Sequence, residues 1–92
     1  MITAICFVNA DVDRIPEVGE KIAALDGVSE VYSVTGQIDL IVLVRVREVD
    51  DVSAVIADRL NKVEGVTSTE THIAFRTFSK HDLEAAFSLG LD

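Results

Sequence analysis

Asp39 stands at the head of an apolar run that continues Leu40-Ile41-Val42-Leu43-Val44. A carboxylate there costs free energy unless water or a partner satisfies it. Just before it lies the turn Thr35-Gly36-Gln37, whose backbone N–H groups can form a concavity for an anion. Asp39 on an ammonium group and the turn N–H groups on a carboxylate would together recognise an α-amino acid. The plainer reading is that Asp39 caps its own turn by accepting from nearby backbone N–H groups. A second segment, Val66-Thr67-Ser68-Thr69-Glu70-Thr71-His72-Ile73, repeats threonine at every other position. Thr67, Thr69 and Thr71 then share one strand face. They would line a polar pocket with hydroxyls, or else reflect the preference of threonine for a half-buried pleated surface.

Other chemistries find little support. His72, His81 and Cys6 show no paired ligand spacing for a metal. They read as two ordinary histidines and a core thiol. The five glycines are isolated, so there is no phosphate-cradling loop. No nucleophile stands beside a base. Arg45 and Arg47 form the one pair of close basic residues on a strand, and Glu48 and Asp50 follow them at once. Single-stranded nucleic acid needs a basic groove interleaved with aromatics, which is missing. No catalytic residue, metal or cofactor is expected.

The elements that would hold these residues follow from periodicity. Ile2 to Asn9 is rich in β-branched and aromatic residues and reads as a strand. Ile15, Val18, Ile22 and Leu25 recur at helical spacing, with Asp13 as N-cap, Pro16 in the first turn and Gly27 as C-cap. Val28 to Thr35 is a second strand, and Ile38 to Arg47 a third with apolar residues on both faces. Asp50 or Asp51 caps a second helix carrying Val52, Val55, Ile56 and Leu60, ended by Gly65. Val66 to Phe78 is the last strand. Ser79 to Gly90 reads as a short tail helix, with Ser79 as cap and Leu83, Ala86 and Phe87 as its apolar stripe.

The chain repeats itself. Leu25-Asp26-Gly27-Val28 corresponds to Val63-Glu64-Gly65-Val66, and Val18 and Ile22 map at the same offset onto Ile56 and Leu60. Two strand–helix–strand units give βαββαβ, a ferredoxin-like α+β fold. Right-handed crossovers put both helices on one face of a four-stranded antiparallel sheet. The third strand is apolar on both sides, so something must cover the second face. An identical sheet does so most simply, as a two-fold dimer.

Composition bounds the function. The 92 residues are 49% hydrophobic and 26% charged, which fits one folded domain. Eight basic against sixteen acidic residues give a net charge of −8, which disfavours direct binding to nucleic acid or an anionic membrane. One cysteine builds no internal disulfide. The start has no basic n-region, and the longest apolar stretch is too short to span a bilayer, so a cytoplasmic domain is expected.

The run Val31-Tyr32-Ser33-Val34-Thr35-Gly36-Gln37-Ile38-Asp39-Leu40, followed by Val63-Glu64-Gly65-Val66-Thr67-Ser68-Thr69-Glu70-Thr71, resembles the effector-binding domain of the Lrp/AsnC feast/famine regulators. The family pattern is a Thr-Gly-x-Tyr-Asp turn, then Pro-Gly-Val before a Thr-x-Thr strand. Here Ile38 replaces the usual tyrosine, Glu70 falls where a basic residue is common, and Val63-Glu64-Gly65 lacks the proline. The resemblance covers roughly Ile2 to Phe78. It implies sheet-to-sheet dimers, rings of dimers such as octamers, and a small amino-acid effector bound between dimers. The matched site positions are Gly36, Asp39, Thr69 and Thr71, with Thr35 and Gln37 as pocket walls.

The expectation is therefore one ligand-binding domain over residues 1–92, core 2–78 and helical tail 79–92, without the helix-turn-helix of full-length family members. It would sense an amino acid, assemble with itself or with full-length Lrp/AsnC regulators, and so modulate transcription-regulator assembly. Two competing readings remain. One is an assembly module without ligand. The other is a dimeric α+β barrel enzyme, for which His72 is the sole candidate centre.

Overall fold

The computed structural model describes residues 1–80. Four strands form one antiparallel sheet: β1 (Ile2–Ala10), β2 (Val28–Ser33), β3 (Leu40–Val46) and β4 (Val66–Ile73). Their order is β2-β3-β1-β4, with β1 and β3 central. Helix α1 (Ile15–Ala23) joins β1 to β2. Helix α2 joins β3 to β4. It begins as α-helix over Val49–Ser53, widens to π-helical winding over Ala54–Arg59 and tightens to a 3-10 turn at Leu60–Lys62. The ferredoxin-like βαββαβ expectation holds.

Alternation decides what is buried. Ala4, Cys6, Val8 and Ala10 of β1 and Leu40, Val42, Val44 and Val46 of β3 point to the helix side and are buried. Val18 and Ile22 of α1 and Val52, Val55 and Leu60 of α2 pack on them in one core. Fully burying each such side chain contributes about 1.5–3 kcal/mol. On the second face Ile5, Phe7, Ile41 and Leu43 are only half-buried.

Several expected details differ. Asp13 does not cap α1: it lies in a 3-10 turn (Val12–Arg14), and Arg14 holds the cap position without a side-chain cap bond. Pro16 takes the first turn as expected. Helix α2 starts one residue earlier than Asp50, with Glu48 at the cap. Asp51 serves the same end from inside the helix, accepting from the Glu48 N–H at 3.2 Å. Strand β4 stops at Ile73, not Phe78. Ile73 pairs with Ala4 of β1, and Ala74 N–H to Thr3 C=O is the last bond between the two strands. Phe75 and Phe78, beyond the ladder, are exposed. The predicted tail helix lies, after Lys80, outside the described residues.

The sequence repeat becomes a reciprocal lock. Gly27 (φ +92°) would place a Cβ 2.5 Å from Val55 Cγ2 of α2. Gly65 (φ +102°) would place one 2.6 Å from Val18 Cγ2 of α1. Each repeat's glycine turn thus fits beneath the other repeat's helix. Gly36 (φ +104°) has open space instead. We expect Gly27→Ala to destabilise by about 2–4 kcal/mol, from backbone strain plus overpacking, and Gly36→Ala by about 1 kcal/mol, from strain alone. Urea unfolding of the two variants checks the ranking, and equal losses would refute it.

Candidate functional site

The Val34–Asp39 loop joins β2 to β3, closed by a Val34 N–H bond to the Asp39 carbonyl (3.1 Å). Thr35, Gly36 and Gln37 are exposed, and their N–H groups meet no acceptor among the described residues. A positive φ lets Gly36 make this bend.

Asp39 does not cap its own turn. Its Oδ2 accepts the Ala10 N–H at 2.9 Å, across the sheet. Its own N–H donates to Val8 C=O and to Asn9 Oδ1, each at 3.1 Å. Asp39 therefore ties the loop to the end of β1, where the β1–β4 register shifts between Asn9 and Ala10. A partner 29 residues away leaves no local signal, so spacing alone could not reveal this clamp. One carboxylate oxygen, Oδ1, remains for a further donor.

The threonines lie elsewhere. Thr69 Oγ1 donates to Asn61 Oδ1 at 2.9 Å, and Thr71 Oγ1 to Cys6 Sγ at 3.4 Å. Cys6 is fully buried beneath the helices, so this row faces the helix side of β4. Asp39 follows the opposite alternation from Leu40. Strand β1 also separates it from β4. One chain therefore brings Thr35, Gly36, Gln37 and Asp39 together in one loop, which Thr69 meets only at Ile38, across a shared cleft, while Thr71 stays apart.

A cleft of about 280 Å³ lies beside Asn9, lined by Phe7, Asn9, Ile38, Ser68, Thr69 and Glu70. Sequence reading missed Phe7, Asn9, Ser68 and Glu70; the alternation of β1 and β4 was their available signal. On the same face His72 Nε2 lies 2.7 Å from Glu70 Oε2, and its ring meets Phe7 edge-on at 5.4 Å. His72 thus has a carboxylate partner that sequence reading did not foresee. Both side chains are more than half exposed, so the pair adds little stability. Among the described residues no group of three or more His, Cys, Asp or Glu could hold a metal. No described helix is long and apolar enough to cross a membrane.

Burial pushes the Cys6 thiol up, and the hydrogen bonds from Thr71 and the Glu70 backbone offset this only in part. With the thiolate disfavoured, Cys6 should resist a disulfide reagent at about pH 8 while folded and react at once in denaturant. Rapid labelling of the folded chain would contradict this. Asp39→Ala orphans the Ala10 N–H and should cost about 1–3 kcal/mol. Asp39→Asn keeps an acceptor and should lose clearly less; denaturant midpoints separate the two.

Comparison with known proteins bears on the site. The family described as the Lrp/AsnC ligand binding domain matches residues 3–83. An uncharacterized HTH-type transcriptional regulator of Pyrococcus horikoshii is 38% identical over 61 residues, covering 66% of this chain and 41% of the regulator. The chain spans less than half the length of the curated relatives it matches. A Thermus thermophilus protein of known structure is 42% identical, with a TM-score of 0.82 over 87% of this chain and all of that one. A Neisseria meningitidis transcriptional regulator solved as its L-Met complex shares the fold (TM-score 0.76, 15% identity, 85% of this chain, 52% of that one).

Proposed function

The chain belongs to the Lrp/AsnC ligand-binding domain family, and on that premise we propose that it senses an amino acid between copies of itself. The observation that carries this reading is the Val34–Asp39 loop, clamped at its base by Asp39 and open at its crown. Unengaged N–H groups at Thr35, Gly36 and Gln37 suit a ligand carboxylate. The spare Oδ1 of Asp39 suits an ammonium. The bound methionine of the Neisseria relative is in keeping with such a ligand. Ile38, within the loop and lining the adjoining cleft, favours an apolar ligand side chain.

Assembly is part of the proposal. Ile5, Phe7, Ile41 and Leu43 on the second sheet face forgo several kcal/mol between them at about 1.5–3 kcal/mol per fully buried side chain. A second sheet covers them, and dimers then meet in a ring. Within one chain Thr69 meets that loop only at Ile38 and Thr71 faces the helix side, so in this reading both join the site of the Gly36 loop from a neighbouring copy. An amino acid bound there favours one assembly over another, which is how such a domain acts on transcription regulators. The domain has no catalytic role in this reading. His72 and Glu70 lie on the face the partner sheet covers.

Light scattering after size exclusion, with and without a mixture of the twenty amino acids, is the test. We expect a mass at a multiple of the 10.0 kDa chain, and a change of mass or elution with the mixture. Asp39→Asn should weaken binding of the active amino acid about tenfold or more, for one charge-assisted contact. Unchanged affinity in that variant would refute the site. A flat response to every amino acid would favour an assembly module without ligand.

A further inference from the structure

Arg45 and Arg47 gain a third member in the folded chain. They line a cleft of about 370 Å³ together with Arg59 from the end of the π-helical stretch of α2. Arg47 and Arg59 thus bring two of the eight basic residues to one cleft in a chain of net charge −8, while Arg45 alternates with the buried Val44 and Val46 and directs its side chain to the other sheet face. The other arginines are engaged: Arg14 pairs with Glu64 at 2.9 Å, and Arg76 lies over the Phe78 ring. Arg45, Arg47 and Arg59 make no ion pair among the described residues. Arg59 spends one Nη1 bond on the Asp26 carbonyl, at 3.0 Å. Asp51 is the one carboxylate lining the cleft, and it already accepts the Glu48 N–H. Two cations against one anion leave the cleft positive by about one charge.

We propose that this cleft binds a small polyanion carrying phosphate or several carboxylates. Guanidinium groups present forked N–H donors that match both oxyanions bidentately. The floor is rigid and partly apolar: Val46 and Val55 are buried. Gly27 closes it, tied to β3 by the Arg45 N–H bond to its carbonyl at 2.9 Å. The volume suits a small molecule, not a macromolecular segment. The cleft sits at the far end of β3 from the Gly36 loop, about 20 Å away at ~3.3 Å per residue. It is therefore separate from the amino-acid site and does not depend on it.

The test follows backbone amide chemical shifts of the whole chain titrated with pyrophosphate and, separately, citrate at constant ionic strength. Wild type should show saturable shifts at Gly27, Val46 and Val55. Arg47→Gln and Arg59→Gln should each weaken binding about tenfold or more, as for loss of one charge-assisted contact, with the fold retained. Asp39→Asn should bind as wild type does, so failure of the amino-acid reading leaves this result standing. Saturation by pyrophosphate alone assigns phosphate, by citrate alone polycarboxylate, and by both a general polyanion site. Shifts that sodium chloride reproduces, or wild-type affinity in both arginine variants, would overturn the proposal.

Discussion

Strands β1 and β3 lie side by side at the centre of the sheet, and both are apolar on both faces. That constraint organises the rest of the molecule. One face must carry the two helices, because the crossovers from β1 to β2 and from β3 to β4 return on the same side. Thirteen residues then share one core, with no buried polar or charged residue to compensate among those described. The other face is left half-buried, and its apolar area is what makes a second sheet favourable. The peripheral strands inherit the polar work. β4 carries threonine, glutamate and histidine, and β2 carries Tyr32 hydrogen-bonded to Glu30, an acceptor that raises the phenol's pKa.

The repeat ties the two halves together. Two glycine turns at equivalent positions each admit a valine from the other half's helix, Val55 over Gly27 and Val18 over Gly65. The Asp11 N–H also bonds to the Gly65 carbonyl at 2.8 Å, joining the end of β1 to the start of β4. Packing at these turns is backbone against side chain, so a single methyl group is felt. Gly36 shares their conformation and none of their contacts. That difference separates two turns that hold the fold from one that stands open.

Charge is divided between the two ends of the sheet. Acidic residues outnumber basic ones two to one, yet Arg47 and Arg59 line one cleft at one end, while the Gly36 loop and Asp39 occupy the other. Asp39 is half structural: one oxygen holds the Ala10 N–H and the other is free. A carboxylate so placed is oriented before any ligand arrives, which limits the ordering that binding must impose. Thr69 and Thr71 are satisfied inside the chain by Asn61 and Cys6.

Much was legible in the residues themselves. Alternation in Leu40 to Val46 and helical spacing in Val18, Ile22, Val52, Val55 and Leu60 sufficed for the four strands, two helices and their burial, because these signals are local and periodic. The repeat around Gly27 and Gly65 disclosed the topology, and the Thr35–Asp39 and Thr67–Thr71 segments disclosed the family. Long-range partners were not legible. Asp39 finds Ala10, Thr71 finds Cys6, and Arg59 comes to the cleft that Arg47 lines only because strand pairing and helix packing bring distant positions into register. The end of β4 at Ile73 is likewise where its pairing with β1 stops, at Ala4, which the residues beyond it do not announce. Periodicity writes each element into its own segment; which side chains meet depends on the sheet order, and that exists only in the folded chain.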